Sequence, residues 1–107
     1  MTTGKLVVIN SNMEAELLFR KREGLSETAL VEIVIWRVPD PVRGSRHGFK
    51  YRLVLMADGI CLPRYDNEAG KGDHKHIGEG EAPYRFTDLA TLQADFWKDV
   101  ETWRTGR

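Results

Sequence analysis

The chain has 107 residues, of which 41% are hydrophobic and 30% are charged, and its formal net charge is zero. This length fits one domain, and the composition is neither that of a disordered protein nor that of a membrane protein. A zero net charge argues against a protein that coats nucleic acid by bulk electrostatic attraction. We therefore expect one globular domain over residues 1–107.

No segment has the pattern of a membrane span or of a secretory leader. The longest apolar runs, Leu6 to Ile9 and Ile33 to Trp36, are far shorter than the roughly 18 residues that a span requires. Cys61 is the only cysteine, so an internal disulfide is excluded. These features predict a cytoplasmic protein without membrane contact.

The charges are distributed unevenly along the chain. Residues 42–76 contain seven basic and four acidic residues, a net charge of +3, and all three histidines. Residues 77–107 contain four basic and six acidic residues, a net charge of −2. The basic middle segment could attract phosphate, although an excess of three charges is a weak indication of nucleic-acid binding.

The first part of the chain predicts strands. Residues 1–12 include a β-rich run and form either a variable extension or an edge strand. Alternating apolar and polar residues predict strands at about 13–22 and 29–38. The second of these is apolar on one face and half apolar on the other, which is typical of a central antiparallel strand with a helix over one side. The Pro-Asp-Pro sequence at 39–41 ends it, and residues 43–48 form a basic loop.

The middle of the chain predicts a β-hairpin. Residues 49–57 alternate clearly, and Asp58-Gly59 is typical of a tight turn with positive φ angles, so residues 60–65 should return as the partner strand. Pro63 places that strand at an edge or beside a bulge. Residues 66–76 follow this hairpin and should therefore begin at the end of a rigid sheet, where functional groups are often located.

The C-terminal segment predicts an amphipathic helix. Thr87 is suited to cap its first turn, Asp88 adds a favourable charge there, and the helix should extend to about Trp103. Its apolar stripe consists of Leu89, Leu92, Phe96, Val100 and Trp103. The predicted fold is therefore α+β, with a small antiparallel β-meander of four to five strands and the helix packed on one face.

The segment from Arg64 to His76 is the predicted functional site, because it concentrates acids, amides, cations and two histidines. If it is extended, His74 and His76 project to the same side and could act as general base and general acid on a phosphodiester. RNA would be the natural substrate, because its own hydroxyl is the nucleophile. With Asp66 or Asp73 the same histidines also suit zinc, manganese or nickel. A solvated loop without chemistry is the third interpretation.

Ten residues are assigned roles on this basis, and no metal or cofactor is assigned. The catalytic candidates are His74, His76, Asp66 and Asp73. The phosphate-binding candidates are Lys71, Lys75, Arg64, Tyr65, Asn67 and Arg52. Gly70-Lys71-Gly72 resembles a phosphate cradle, although it lacks the full spacing of a nucleotide P-loop. Arg46 and His47 would extend the site if the basic loop lies at the same end of the sheet.

Several motifs together resemble the TumE-type toxins of bacterial toxin–antitoxin pairs. They are Arg-Tyr-Asp-Asn at 64–67, Gly-Lys-Gly-Asp-His-x-His at 70–76, Pro-Tyr-Arg-Phe at 83–86 and Asp-Phe-Trp at 95–97. The resemblance covers about residues 29–103. It implies a small cytoplasmic toxin held inactive by a cognate antitoxin, usually a DNA-binding helix-turn-helix protein. It implies a biological role more firmly than a reaction.

The sequence thus predicts a toxin that acts on RNA through its His/Lys/Asp loop, as a metal-independent endoribonuclease. Two alternatives stay open. One is a non-catalytic binding module that recognises an antitoxin or another protein. The other is a metal-dependent hydrolase built from the same histidines.

Overall fold

The structure, a computed structural model, describes residues 5–10 and 13–106, with side chains from 15 to 59 and from 62 to 106. Within these ranges the chain forms seven strands and one helix. The strands are β1 (Lys5–Asn10), β2 (Met13–Gly24), β3 (Ala29–Arg37), β4 (Phe49–Ala57), β5 (Ile60–Asp66), β6 (His74–Ile77) and β7 (Gly80–Pro83). The helix is α1 (Leu89–Thr105).

All seven strands belong to one antiparallel sheet, whose spatial order is the same as the order in the sequence. The predicted α+β class, with an antiparallel meander and a C-terminal helix, is confirmed. The sheet has more strands than the four or five expected. β1 is its first strand, and residues 74–77 and 80–83, which were not counted among the predicted strands, form β6 and β7.

The predicted hairpin between β4 and β5 is confirmed. Asp58 and Gly59 have φ angles of 53° and 77°, the left-handed region that such a tight turn requires. Pro63 lies beside an irregularity in the β4–β5 register, which shifts between Val54 and Met56. A proline is tolerated there because a bulge leaves a backbone position without a ladder hydrogen bond.

The hydrophobic core lies between the sheet and α1, which packs against β4 and β5. Alternate residues of three strands face the helix, and three helix residues spaced by four face the strands. This core comprises Val31, Ile33, Ile35, Tyr51, Leu53, Leu55, Tyr65, Leu92, Phe96 and Val100. In the part of the chain that the structure describes, no helix is both long and apolar enough to cross a bilayer.

The helix begins one residue later than the sequence predicts. Asp88, not Thr87, is the N-cap: its backbone is extended, and its carboxylate accepts a hydrogen bond of 2.7 Å from the backbone N–H of Thr91. This hydrogen bond lowers the pKa of Asp88. The prediction of a Thr87 cap was therefore wrong, because a carboxylate at the next position satisfies the free N–H groups of the first turn.

Replacing Asp88 with alanine is therefore expected to lower the melting temperature, because the N–H of Thr91 loses its acceptor. The matched change Thr87→Ala should leave the melting temperature unchanged. Thermal unfolding followed by circular dichroism compares the two. An equal loss in both variants would contradict the assignment of Asp88 as the cap.

Candidate active site

Strand register places one set of polar residues on the sheet face opposite α1, which we call the open face. Asp66 pairs with both Arg52 and His74 across the neighbouring strands, and Arg64 pairs with His76. His76 in turn pairs with Glu81 on β7. Because side chains alternate along a strand, these six groups share one face. The site is therefore built on regular strands rather than on a loop.

His74 lies between two oxygen atoms of the protein. Its Nδ1 lies 2.8 Å from the backbone carbonyl of Gly72, and its Nε2 lies 2.7 Å from Oδ1 of Asp66. The side chain of His74 is only 6% exposed and that of Asp66 is 14% exposed. Arg64 Nε lies 3.2 Å from the other carboxylate oxygen of Asp66. His74 is thus fixed in position and almost closed to solvent.

His76 is the accessible imidazole of the pair. Its ring centroid lies 4.9 Å from that of His74, and 20% of its side chain is exposed. Its Nε2 lies 2.8 Å from Oε2 of Glu81, and the ammonium of Lys71 lies 3.8 Å from the same oxygen. Burial, followed by the nearby guanidinium of Arg64, lowers the pKa of His76. The neutral imidazole is therefore favoured at neutral pH.

A groove of about 560 Å³ adjoins these open-face residues and shares Arg52, Arg64 and Asp66 with them. Four basic side chains line the groove, against two acidic ones. The basic residues are Arg43, Lys50, Arg52 and Arg64, and the acidic residues are Asp66 and Glu68. The local charge is therefore positive although the whole chain is neutral. Asp66, which lines the groove, is the residue that connects it to His74.

The basic loop at 43–48 and the glycine segment at 70–73 meet at one end of the sheet. Asp73 accepts a hydrogen bond of 2.7 Å from the Ser45 hydroxyl, and its two carboxylate oxygens lie 3.0 and 2.9 Å from Nε2 of His47. A Cβ on Gly72 would lie 2.8 Å from the carbonyl oxygen of Gly44. Only glycine permits this approach, so the two loops are held together by backbone contact.

A family model described as Toxin TumE matches residues 7–104 of the chain. The chain belongs to the TumE toxin family. No match was found among curated proteins or among solved structures. Family membership indicates the biological role of a toxin, and a toxin of this kind implies an antitoxin partner.

Two residues predicted to contact phosphate lie on the other face of the sheet in this TumE-family toxin. Tyr65 is 1% exposed, its hydroxyl donates to the carboxylate of Asp99 on α1, and burial with this hydrogen bond raises its pKa. Lys75 lies 3.7 Å from the same carboxylate and above the Tyr65 ring. Strand alternation explains both positions: Tyr65 and Lys75 each lie between two open-face residues in their strands, so their side chains point to the opposite face.

Asn67 and Asp73 are also engaged within the protein. Asn67 is 1% exposed, accepts from the N–H of Tyr51 at 3.0 Å and donates to the carbonyl of Phe49 at 2.7 Å. Asp73 is held by Ser45 and His47. The candidates that the structure brings together on the open face are Arg52, Arg64, Asp66, His74 and His76, and Lys71 reaches them through Glu81.

Glu81 is the site residue that sequence reasoning missed, because no strand was predicted for residues 78–83. Gly78 has a φ of 60° and allows the tight turn between β6 and β7, which brings Glu81 opposite His76. The signal available in the sequence was this glycine between two short extended segments. With His74 and His76, Glu81 forms a group whose ligand atoms all lie within 4.8 Å of one another.

Proposed function

We propose that this toxin acts on RNA, with the groove binding the phosphate backbone and the histidine cluster cleaving it. The observation that carries the proposal is the position of a groove with four basic residues directly beside an imidazole–carboxylate cluster on the open face. Phosphate binding and proton transfer are the two requirements for cleaving a phosphodiester.

Binding would depend on the groove rather than on the total charge. Lys50 and Arg52 are exposed and line it, so their charges are available to phosphate. Arg52 lies 3.6 Å from Glu32, an exposed ion pair of the kind that contributes little and can be exchanged for a phosphate contact. Each such contact releases a condensed counterion, so affinity should depend on salt concentration.

Cleavage would require no protein nucleophile, because the ribose 2′-hydroxyl of RNA can attack the adjacent phosphorus. His76 is the more exposed of the two imidazoles, and its Nε2 is buried against Glu81. Its other ring nitrogen, Nδ1, would therefore take the hydroxyl proton. The 2′-oxygen–phosphorus bond then forms, the bond from phosphorus to the 5′-oxygen breaks, and that oxygen takes a proton from water. Lys71 would stabilise the negative charge that develops on the phosphate.

His74 has a different role in this proposal. Both of its ring nitrogens face protein acceptors, and its side chain is almost fully buried, so it does not reach a bound substrate. Its ring contacts that of His76 edge to face. It is therefore a positioning residue that orients His76, and Asp66 orients His74 in turn.

A test of groove binding uses Lys50→Ala and Arg52→Ala, with Arg104→Ala on α1 as the matched control. Binding of the purified toxin to labelled single-stranded RNA is measured at several salt concentrations. Each groove variant should weaken binding and reduce the slope of log Kd against log salt by about 0.7. The control should bind as wild type does. Equal behaviour of all three variants would overturn the assignment of the groove.

A further inference from the structure

We propose that His74, His76 and Glu81 form a binding site for a divalent transition-metal ion of the zinc class. Only the role of the ion in RNA cleavage rests on the proposed function. Ion binding itself is a property of the protein alone and can be measured without RNA.

The donor set fits such an ion in type and in spacing. Two imidazoles and one carboxylate are a known ligand set of catalytic zinc, which leaves a fourth position open for water or substrate. The ligand atoms of His74, His76 and Glu81 all lie within 4.8 Å of one another. Ligand atoms around a tetrahedral zinc ion are about 3.4 Å apart. The side chains of His76 and Glu81 are 20% and 46% exposed, so they have room to adjust toward this spacing.

The surroundings of His74 resemble those of a metal-ligating histidine. Such a residue usually donates its second ring N–H to a backbone carbonyl or a carboxylate, which fixes the tautomer and the ring orientation. His74 has one oxygen of each kind beside its ring: the carbonyl of Gly72 hydrogen-bonds to Nδ1, and Oδ1 of Asp66 lies 2.7 Å from Nε2 without the alignment of a hydrogen bond. Whichever nitrogen binds the ion, the other keeps an orienting partner.

A second observation comes from His76. Its Nε2 is a buried atom that makes no hydrogen bond of acceptable geometry with any residue that the structure describes. It nevertheless lies only 2.8 Å from the carboxylate oxygen of Glu81. A buried polar atom without a well-aligned partner is costly. An ion that ligates both the nitrogen of His76 and the oxygen of Glu81 would satisfy the two atoms together.

Two positive groups oppose ion binding: the guanidinium of Arg64 lies near His76, and the ammonium of Lys71 lies 3.8 Å from the Glu81 carboxylate. Lys71 is the more exposed of the two. It would compete with the ion for this oxygen and repel it. The variant Lys71→Ala should therefore bind the ion more tightly than wild type, whereas it should bind RNA more weakly. Arg104→Ala, which removes a positive charge from α1 on the other face of the sheet, should leave the affinity for the ion unchanged, so the comparison separates a local effect of Lys71 from a change in total charge.

A bound ion would polarise the phosphate or lower the pKa of the attacking hydroxyl, which are recognised roles of zinc-class ions in phosphodiester cleavage. It would then replace His76 as the group that activates the hydroxyl, because the ion occupies that imidazole. Measuring whether cleavage requires the metal ion distinguishes the two roles of His76, proton acceptor and metal ligand.

The test is isothermal titration calorimetry of tag-free protein with Zn²⁺, together with visible absorption spectra after addition of Co²⁺. Wild type should bind one ion per chain and give the intense Co²⁺ bands of a four-coordinate site. Glu81→Gln and His76→Gln should each weaken binding by at least about tenfold. Glu79→Gln, which removes an exposed acid from the same hairpin, should bind as wild type does. Circular dichroism verifies that each variant is folded.

Weak or multiple binding in wild type, or equal affinity in Glu81→Gln and Glu79→Gln, would overturn the inference. An RNA cleavage assay on the same samples separates this result from the fate of the proposed function. One ion per chain without cleavage would support the ion site and refute the ribonuclease. Cleavage that depends on His76 in protein that binds no ion would support the ribonuclease and refute the ion site.

Discussion

Replacing His76 with glutamine is expected to lower RNA cleavage by the purified toxin by about 10²–10⁴-fold, the usual contribution of a proton-transfer group. His76 is the accessible imidazole of the cluster, and glutamine retains much of its size but cannot exchange a proton at neutral pH. The dissociation constant for RNA should change little, because the groove cations remain. Single-turnover cleavage rates and RNA affinity, measured on the same preparations, distinguish these two effects.

The control for this prediction is Glu79→Gln, an exposed change in the turn between β6 and β7 that leaves the cluster intact. It should cleave RNA at the wild-type rate. Cleavage by His76→Gln at the wild-type rate would contradict the role of His76. A matching loss of RNA affinity in that variant would instead make His76 a binding residue.

Replacing Asn67 with alanine is expected to lower the free energy of unfolding by about 2–4 kcal/mol, because two buried backbone groups lose their partners. The amide of Asn67 bonds the N–H of Tyr51 and the carbonyl of Phe49, which joins the end of β5 to the start of β4. Alanine can replace neither bond, and the site is closed to water at 1% exposure. Urea denaturation of wild type and of Asn67→Ala measures this difference in unfolding free energy.

The neighbouring change Glu68→Ala is the matched control, because Glu68 is exposed and its removal should alter the unfolding free energy by less than about 0.5 kcal/mol. Asn67→Ala with wild-type stability and impaired RNA binding would contradict the structural role. That result would restore the phosphate contact predicted from the sequence.

Most of the fold could be predicted from local patterns in the sequence. The alternation around β3 and β4, the Asp58-Gly59 turn and the apolar stripe of α1 each depend on residues close together in the chain. Each was therefore visible in the sequence. The short strands β6 and β7 were not, because four residues such as His-Lys-His-Ile have too little alternation and too many polar groups to indicate a strand.

The site was only partly predictable, since the face on which a side chain lies depends on strand register. Asp66 pairs with His74 because residues 67–73 form a turn of a particular length, and this pairing sends Tyr65 and Lys75 toward α1. A shift of one residue would have exchanged the two faces. The sequence thus indicated the right segment but could not separate its open-face residues from its buried ones.

The contact between the two loops was also hidden from sequence reasoning. Gly44 and Gly72 are 28 positions apart, and their backbones approach so closely that an added Cβ on either would meet the other's backbone. Both glycines also have positive φ angles, 98° and 74°, so a local turn would account for each of them and the sequence does not reveal their contact. The sequence left open whether the basic loop joins the histidine segment, and Asp73, held by Ser45 and His47, links the two.

We propose that this TumE-family toxin damages RNA through His76 and the residues around it on the open face. Induced expression of wild type, His76→Gln and Glu79→Gln in bacterial cells, scored for growth and for the integrity of total RNA, tests it most directly. Wild type and Glu79→Gln should arrest growth and fragment RNA, whereas His76→Gln should grow with intact RNA while accumulating to the same level. Growth arrest by wild type with intact RNA, or equal toxicity of His76→Gln, would contradict the claim.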